Sequence, residues 1–151
     1  MKYSQAIKEL GKDFDPFLHL EKEELVDETE RFFVIPARAP YVENHLLIIP
    51  KRKVYVLREL TIEEKEEMYD LVDKWSRKLH TVHNWVNLLL RDGLTGDGNT
   101  EIQKSVNHLH FHLIPDCPIW WEAAGPDRKW FSDDEYLDIA KEIRIKFLWL
   151  E

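Results

Sequence analysis

One run, His108-Leu109-His110-Phe111-His112-Leu113-Ile114, constrains this chain more than any other feature in it. Polar and apolar residues alternate strictly, which is the period of a half-buried β-strand. His108, His110 and His112 then share one face, with Cα atoms roughly 7 Å apart from one to the next, while Leu109, Phe111 and Leu113 share the other. One face is core and the other is a row of imidazoles. Three readings fit such a row: a half-exposed strand with incidental histidines, a metal site using two histidines two residues apart, or a nucleophile with its supporting groups. In the third, a neutral imidazole attacks phosphorus and its neighbours neutralise the phosphate oxygens. The surroundings favour the third. Ser105 precedes the strand in a loop, where a hydroxyl and backbone N–H groups can meet phosphate oxygens. His45 opens a second apolar strand, His45-Leu46-Leu47-Ile48-Ile49-Pro50, and meets the row if the two strands are neighbours.

The rest of the pattern supplies a scaffold. Tyr3, Ala6, Ile7 and Leu10 recur at helical spacing and Gly11 ends the run. Glu24–Asp27 and Arg31–Pro36 read as strands around the turn Glu28-Thr29-Glu30, and Ala39-Pro40 marks a further turn. Thr61 with Glu64 forms a capping box for a long helix whose stripe is Met68, Leu71, Val72, Trp75, Leu79 and Val82. Trp85–Arg91 is a strand, followed by a glycine-punctuated loop from Asp92. Val106–Pro115 is the histidine strand. A last helix opens at Ser132, with Glu135 three residues on, and buries Tyr136, Ile139, Ala140, Ile143 and Phe147. Short turns between strands predict an α+β fold: a mostly antiparallel sheet of about five strands, a long central helix and terminal helices.

The 151 residues suit a single domain spanning 1–151, with no repeat or linker to divide them. A formal net charge of −8 excludes a general nucleic-acid binder, which needs a basic face. It leaves room for a small phosphorylated ligand. Cys117 is the lone cysteine, so neither an intramolecular disulfide nor a thiolate zinc cluster can form. The start lacks the apolar run of a signal peptide and no stretch approaches a membrane span, which predicts a cytoplasmic protein with no membrane partner. His19, His80 and His83 carry no pattern and read as surface residues. Trp120, Trp121, Trp130 and Phe131 form an aromatic group suited to a subunit interface or a base-stacking lid.

With these residues in hand, the chain resembles the histidine-triad (HIT) superfamily, whose signature is His-φ-His-φ-His-φ-φ with φ apolar. His108 to Ile114 fits it throughout, and Glu43-Asn44-His45 through Pro50-Lys51-Arg52 looks like the family's upstream histidine segment. The resemblance covers about 31–115, with a C-terminal helix at 132–150 beyond it. It implies that His110 is the nucleophile of a nucleotide hydrolase or transferase, forming a covalent nucleotidyl-histidine intermediate at the α-phosphate. It makes His112 and Ser105 phosphate ligands, and His108 and His45 a relay that orders the imidazoles. It implies a homodimer with no cofactor of its own, Mg²⁺ arriving only with a polyphosphate substrate. A non-catalytic nucleotide sensor and a His-rich metal protein are the alternatives. Several positions depart from the family. Ala37 and Arg38 stand where an acidic residue commonly binds ribose, Asn44 replaces a glycine, Lys104 replaces a glutamine, and Arg91 replaces an amide. Arg91 and Lys104 are candidate ligands for additional substrate charge.

Overall fold

The structure is a computed structural model that describes residues 1–11, 15–93, 106–118 and 128–148. Among the described residues five strands form one sheet: β1 (Asp27–Glu28), β2 (Phe32–Pro36), β3 (Leu46–Pro50), β4 (Val86–Leu90) and β5 (Phe111–Pro115). Their spatial order is β1-β2-β3-β5-β4, and every neighbouring pair is antiparallel. Three α-helices accompany them: α1 (Tyr3–Leu10), α2 (Ile62–His80) and α3 (Asp133–Phe147). This is the expected α+β class.

Helix α2 begins where the capping box places it. The Thr61 hydroxyl accepts from the Glu64 N–H at 3.1 Å, and the Glu64 carboxylate accepts from the Thr61 N–H at 3.0 Å. Met68, Leu71, Val72, Trp75 and Leu79 bury its inner face. Val82 lies past the helix end and is exposed, so the stripe stops one turn short of the expectation. Helix α3 is capped by Ser132, whose hydroxyl accepts from the Glu135 N–H.

Both faces of the sheet are covered, which explains the continuous apolar run of β3. Phe32, Val34, Leu46, Ile48, Leu109 and Leu113 face α2 and α3, in one cluster with Trp75, Ile143 and Phe147. Ile35, Leu47 and Ile49 face the other way and pack with Phe17, Leu25 and Val106. The functional groups lie on this second side. Buried apolar area at ~25 cal/mol per Å² makes the first cluster the main source of stability, and it fixes the strands that carry the histidines.

Two strands differ from their sequence reading. The segment expected as a strand at Glu24–Asp27 instead makes a 3-10 turn at Lys22–Glu24, because the Glu24 carboxylate accepts from the Glu21 N–H and closes the turn locally. The strand then follows as Asp27–Glu28. The histidine strand expected from Val106 starts only at Phe111. Before it the chain leaves the ladder: the Leu109 N–H donates to the Val54 carbonyl beyond the end of β3, at 2.8 Å. His108 also leaves the ladder, with its ring 2.8 Å from the Pro50 carbonyl. The in–out alternation survives, since Leu109 and Leu113 remain in the core.

Candidate active site

Register brings the two histidine segments together. In the β3–β5 pairing Leu47 lies opposite His112, so His45, just before β3, comes alongside the His112 side chain. The His45 Nε2 and His112 Nδ1 atoms are 3.0 Å apart. His110 follows on the same side, its ring centroid 4.8 Å from that of His112.

The hydrogen-bond partners assign the protons. The Tyr41 backbone N–H donates to His45 Nδ1 at 3.2 Å, so a neutral His45 carries its hydrogen on Nε2. That hydrogen points at His112 Nδ1, which leaves the His112 hydrogen on Nε2. His112 is therefore set as a donor. His110 is set the opposite way: its Nδ1–H donates to the His108 carbonyl at 2.7 Å, which places the lone pair of the neutral ring on Nε2. An acceptor imidazole beside a donor imidazole is the pair that attack on a phosphate requires.

Burial keeps two of these rings uncharged. His45, 2% exposed, is pushed down to about 3 by burial first, and then by the positive potential of Arg128 and of His110. His112 is likewise held well below the usual histidine range, by burial and then by His110, His45, Arg91 and Arg128. The sign of the linkage follows. The unfolded chain takes up protons at about pH 6.5 while these folded rings do not, so the stability they hold is present above that pH and is lost as the pH falls from 6.5 toward 3. Between pH 7 and pH 5 we expect a loss of about 2 kcal/mol from His45 alone, at ~1.4 kcal/mol per unit below the unfolded value. Urea unfolding at the two pH values measures it. His45→Gln should shrink the difference, and equal stability at both pH values contradicts the account.

His108 stands apart from this pair. It is wholly buried, with Nδ1 2.9 Å from the Asp15 carboxylate and Nε2 2.8 Å from the Pro50 carbonyl. Both ring nitrogens are thus occupied, so His108 and His45 act on different imidazoles: His45 contacts His112, and His108 contacts His110 through its backbone. What His108 gives the site is its backbone carbonyl, which fixes His110. Asp15 was not found from the sequence. Burial alone would raise its carboxyl, but bonds from Lys53 and His108, the His108 charge and the Phe17 N–H together hold it below the usual carboxylate range. Phe17 in turn sets its ring edge-on to both His108 and His110, with centroids 5.6 and 5.3 Å away.

His83 is also more than a surface histidine. Its Nδ1 is 2.9 Å from the Asp116 carboxylate and its Nε2 2.9 Å from the Asn44 amide nitrogen. Asn44 has φ 64°, the left-handed region that glycine usually fills and asparagine tolerates. Asn44 can replace a glycine here because its side chain is anchored, and the turn it makes delivers His45. His19 and His80 are exposed, as expected.

His45, His110, His112 and Arg91 line one cleft of about 960 Å³, mouth included, together with Arg38, Tyr41, Arg128 and Trp130. Leu20, Ile35, Leu47 and Val106 give it an apolar wall. Arg38 lies across the Trp130 and Tyr136 rings, donates to the Phe131 carbonyl at 2.8 Å and pairs with Asp133. Trp130 thus packs within this chain against Arg38 and against Tyr3 of α1, and the Phe131 backbone bonds to Arg38. Ser105, Lys104, Trp120 and Trp121 lie outside the described residues, as does most of the loop after Asp92. Among the described residues no three His, Cys, Asp or Glu side chains are grouped to hold a metal ion.

Residues 20–118 match the HIT domain. The chain belongs to that family. No curated protein sequence matches it. Solved structures with a similar fold include the diadenosine triphosphate hydrolase of Plasmodium falciparum in complex with cyclomarin A. It is 20% identical with a TM-score of 0.63, covering 83% of this chain and 77% of that one. The NitFhit protein of C. elegans is 22% identical with a TM-score of 0.64, covering 84% of this chain but 28% of its own. A Zn-bound histidine triad family protein from Mycobacterium smegmatis is 21% identical, with a TM-score of 0.59 and coverage of 83% and 84%. At these identities the likeness is one of fold. Among the described residues no helix is long and apolar enough to cross a membrane.

Proposed function

We propose that this protein cleaves phosphoanhydride or phosphoramidate bonds at a nucleotide α-phosphate, through a covalent intermediate on His110. The observation that carries this reading is the His110 Nδ1–H donated to the His108 carbonyl, which directs the nucleophilic lone pair to Nε2 on a ring lining the cleft. His112 donates its Nε2–H to a phosphate oxygen, and His45 holds His112 in that tautomer. Nε2 attacks phosphorus and the leaving group departs with the bonding electrons. Water, or another phosphate acceptor, then displaces His110 and releases the nucleoside monophosphate or its adduct. Ser105 keeps the phosphate-binding role that the resemblance implies, Lys104 is a candidate ligand for additional substrate charge, and Arg91 adds positive charge beside His112. The fold shared with a protein named diadenosine triphosphate hydrolase supports the same substrate class. A homodimer belongs to this proposal. Its support is the edge strand β4, where Leu88 and the neighbouring Trp85 are half exposed, and sedimentation of the free protein checks it.

The test is turnover on a panel of dinucleoside polyphosphates, nucleoside phosphoramidates and nucleotide sugars, with and without a chelator. The proposal expects release of a nucleoside monophosphate from at least one class. For a phosphoramidate, which brings no polyphosphate-bound Mg²⁺, it expects a rate the chelator leaves unchanged. No release from any class defeats it, and a rate that collapses on chelation of a protein-bound metal favours the metal reading.

A further inference from the structure

With His45 and His112 held neutral, the charge of a bound phosphate has to be balanced by other groups in the cleft. Arg128 lines that cleft together with His110 and His112, and it lies near enough to both His45 and His112 for its charge to bear on their protonation. It reaches the cleft from a segment beyond residues 20–118, the part of the chain that matches the family.

The guanidinium is held in place from several directions. It lies between two aromatic rings, 4.3 Å from the Tyr3 centroid and 4.0 Å from that of Tyr41, and its Nη1 donates to the Ala39 carbonyl at 2.7 Å. Tyr41 is the residue whose backbone N–H fixes the tautomer of His45, and its ring lies 5.6 Å from that histidine. The Arg128 backbone is clasped to the N-terminal helix: its carbonyl accepts from the Tyr3 N–H at 2.7 Å, and the Trp130 N–H donates to the Met1 carbonyl at 2.8 Å. Tyr3 stacks on Trp130 at 6.3 Å. The first residues of the chain and residues 128–130 thus join into one wall, and that wall presents a guanidinium whose planar fork suits a phosphate.

We propose that Arg128 is a phosphate-binding catalytic residue, contributing a fixed cation to the nucleotide site. This rests on the function proposed above. During attack by His110, Arg128 neutralises charge building on the non-bridging oxygens, and the aromatic rings on either side keep it aimed without reorganisation.

The competing role for Arg128 is a clasp that merely closes the wall. Titration calorimetry on the full chain separates the two, using the four ribonucleoside monophosphates and their four nucleosides as probes. The wild-type protein should bind at least one monophosphate more tightly than its nucleoside. Arg128→Gln should lose about 10- to 100-fold in monophosphate affinity, the range of a hydrogen bond to a charged group, with nucleoside affinity unchanged. Arg128→Lys keeps the charge without the fork, so it should lose less and serves if the glutamine variant does not fold. Equal losses for monophosphate and nucleoside, or none for either, overturn the role of Arg128 and leave the proposed function standing. A wild-type protein that binds every nucleoside as tightly as its monophosphate overturns both.

Discussion

Replacing His110 by alanine should abolish turnover and covalent labelling, with losses of many thousandfold in kcat, while a nucleoside monophosphate still binds. The expectation follows from how the cleft divides its labour. His110 supplies the acceptor nitrogen, and no neighbour can take over: His112 turns a donor to the cleft, His45 is committed to His112, and both nitrogens of His108 are engaged by Asp15 and Pro50. Deleting a nucleophile usually costs several orders of magnitude. Binding should survive because the proposed phosphate contacts come from other groups. His112→Ala should lower the rate less, since it removes one donor and forms no bond. Steady-state kinetics beside calorimetry gives both quantities. Appreciable turnover in His110→Ala would remove this histidine from the mechanism.

The second large effect is expected at Asp15. Asp15→Asn should destabilise the protein by about 2–4 kcal/mol at pH 7, within the range for breaking a buried charged pair and reduced because Lys53 is a third exposed and can turn to water. It should also slow turnover, because His108 loses the partner that seats the carbonyl holding His110. The pH dependence has a definite sign. The Asp15 carboxyl is held below its usual range, so its contribution is present above that range and is lost as the pH falls through the folded value. Urea unfolding should therefore show the gap between wild type and variant narrowing in acid. A gap under 0.5 kcal/mol at pH 7 would mean that the pair adds nothing to stability beyond what a neutral amide provides.

The sequence made the sheet and its histidine face legible because both depend on local alternation. The capping box at Thr61 and the apolar stripe of α2 were legible for the same reason: residues three and four apart decide them. Where the histidine strand begins was not, since that depends on where the Leu109 N–H and the His108 ring find partners, and these are carbonyls more than fifty residues away. Asp15 was invisible for a stronger reason. It meets His108 across 93 residues of chain, and nothing in the local pattern around Asp15 points to that partner. His83 looked incidental because its partners, Asn44 and Asp116, come from two other segments. Arg91 could be picked out as a departure from the family, and the structure adds that it lines the cleft beside His112. Arg38 was equally visible as a departure, yet its stacking on Trp130 and Tyr136 could be learned only from the fold.

The central claim is that phosphorus becomes bonded to Nε2 of His110. Quenching a reaction with a turned-over substrate at alkaline pH, where a phosphorus–nitrogen bond to histidine survives, and sequencing the labelled peptide by mass spectrometry tests it most directly. Phosphorus NMR of the same adduct distinguishes the two ring nitrogens. The account predicts a single nucleotidyl group on His110, attached through Nε2, because Nδ1 is occupied by the His108 carbonyl. An adduct on His45, His108 or His112, linkage through Nδ1, or turnover with no adduct at any point in the time course would contradict it.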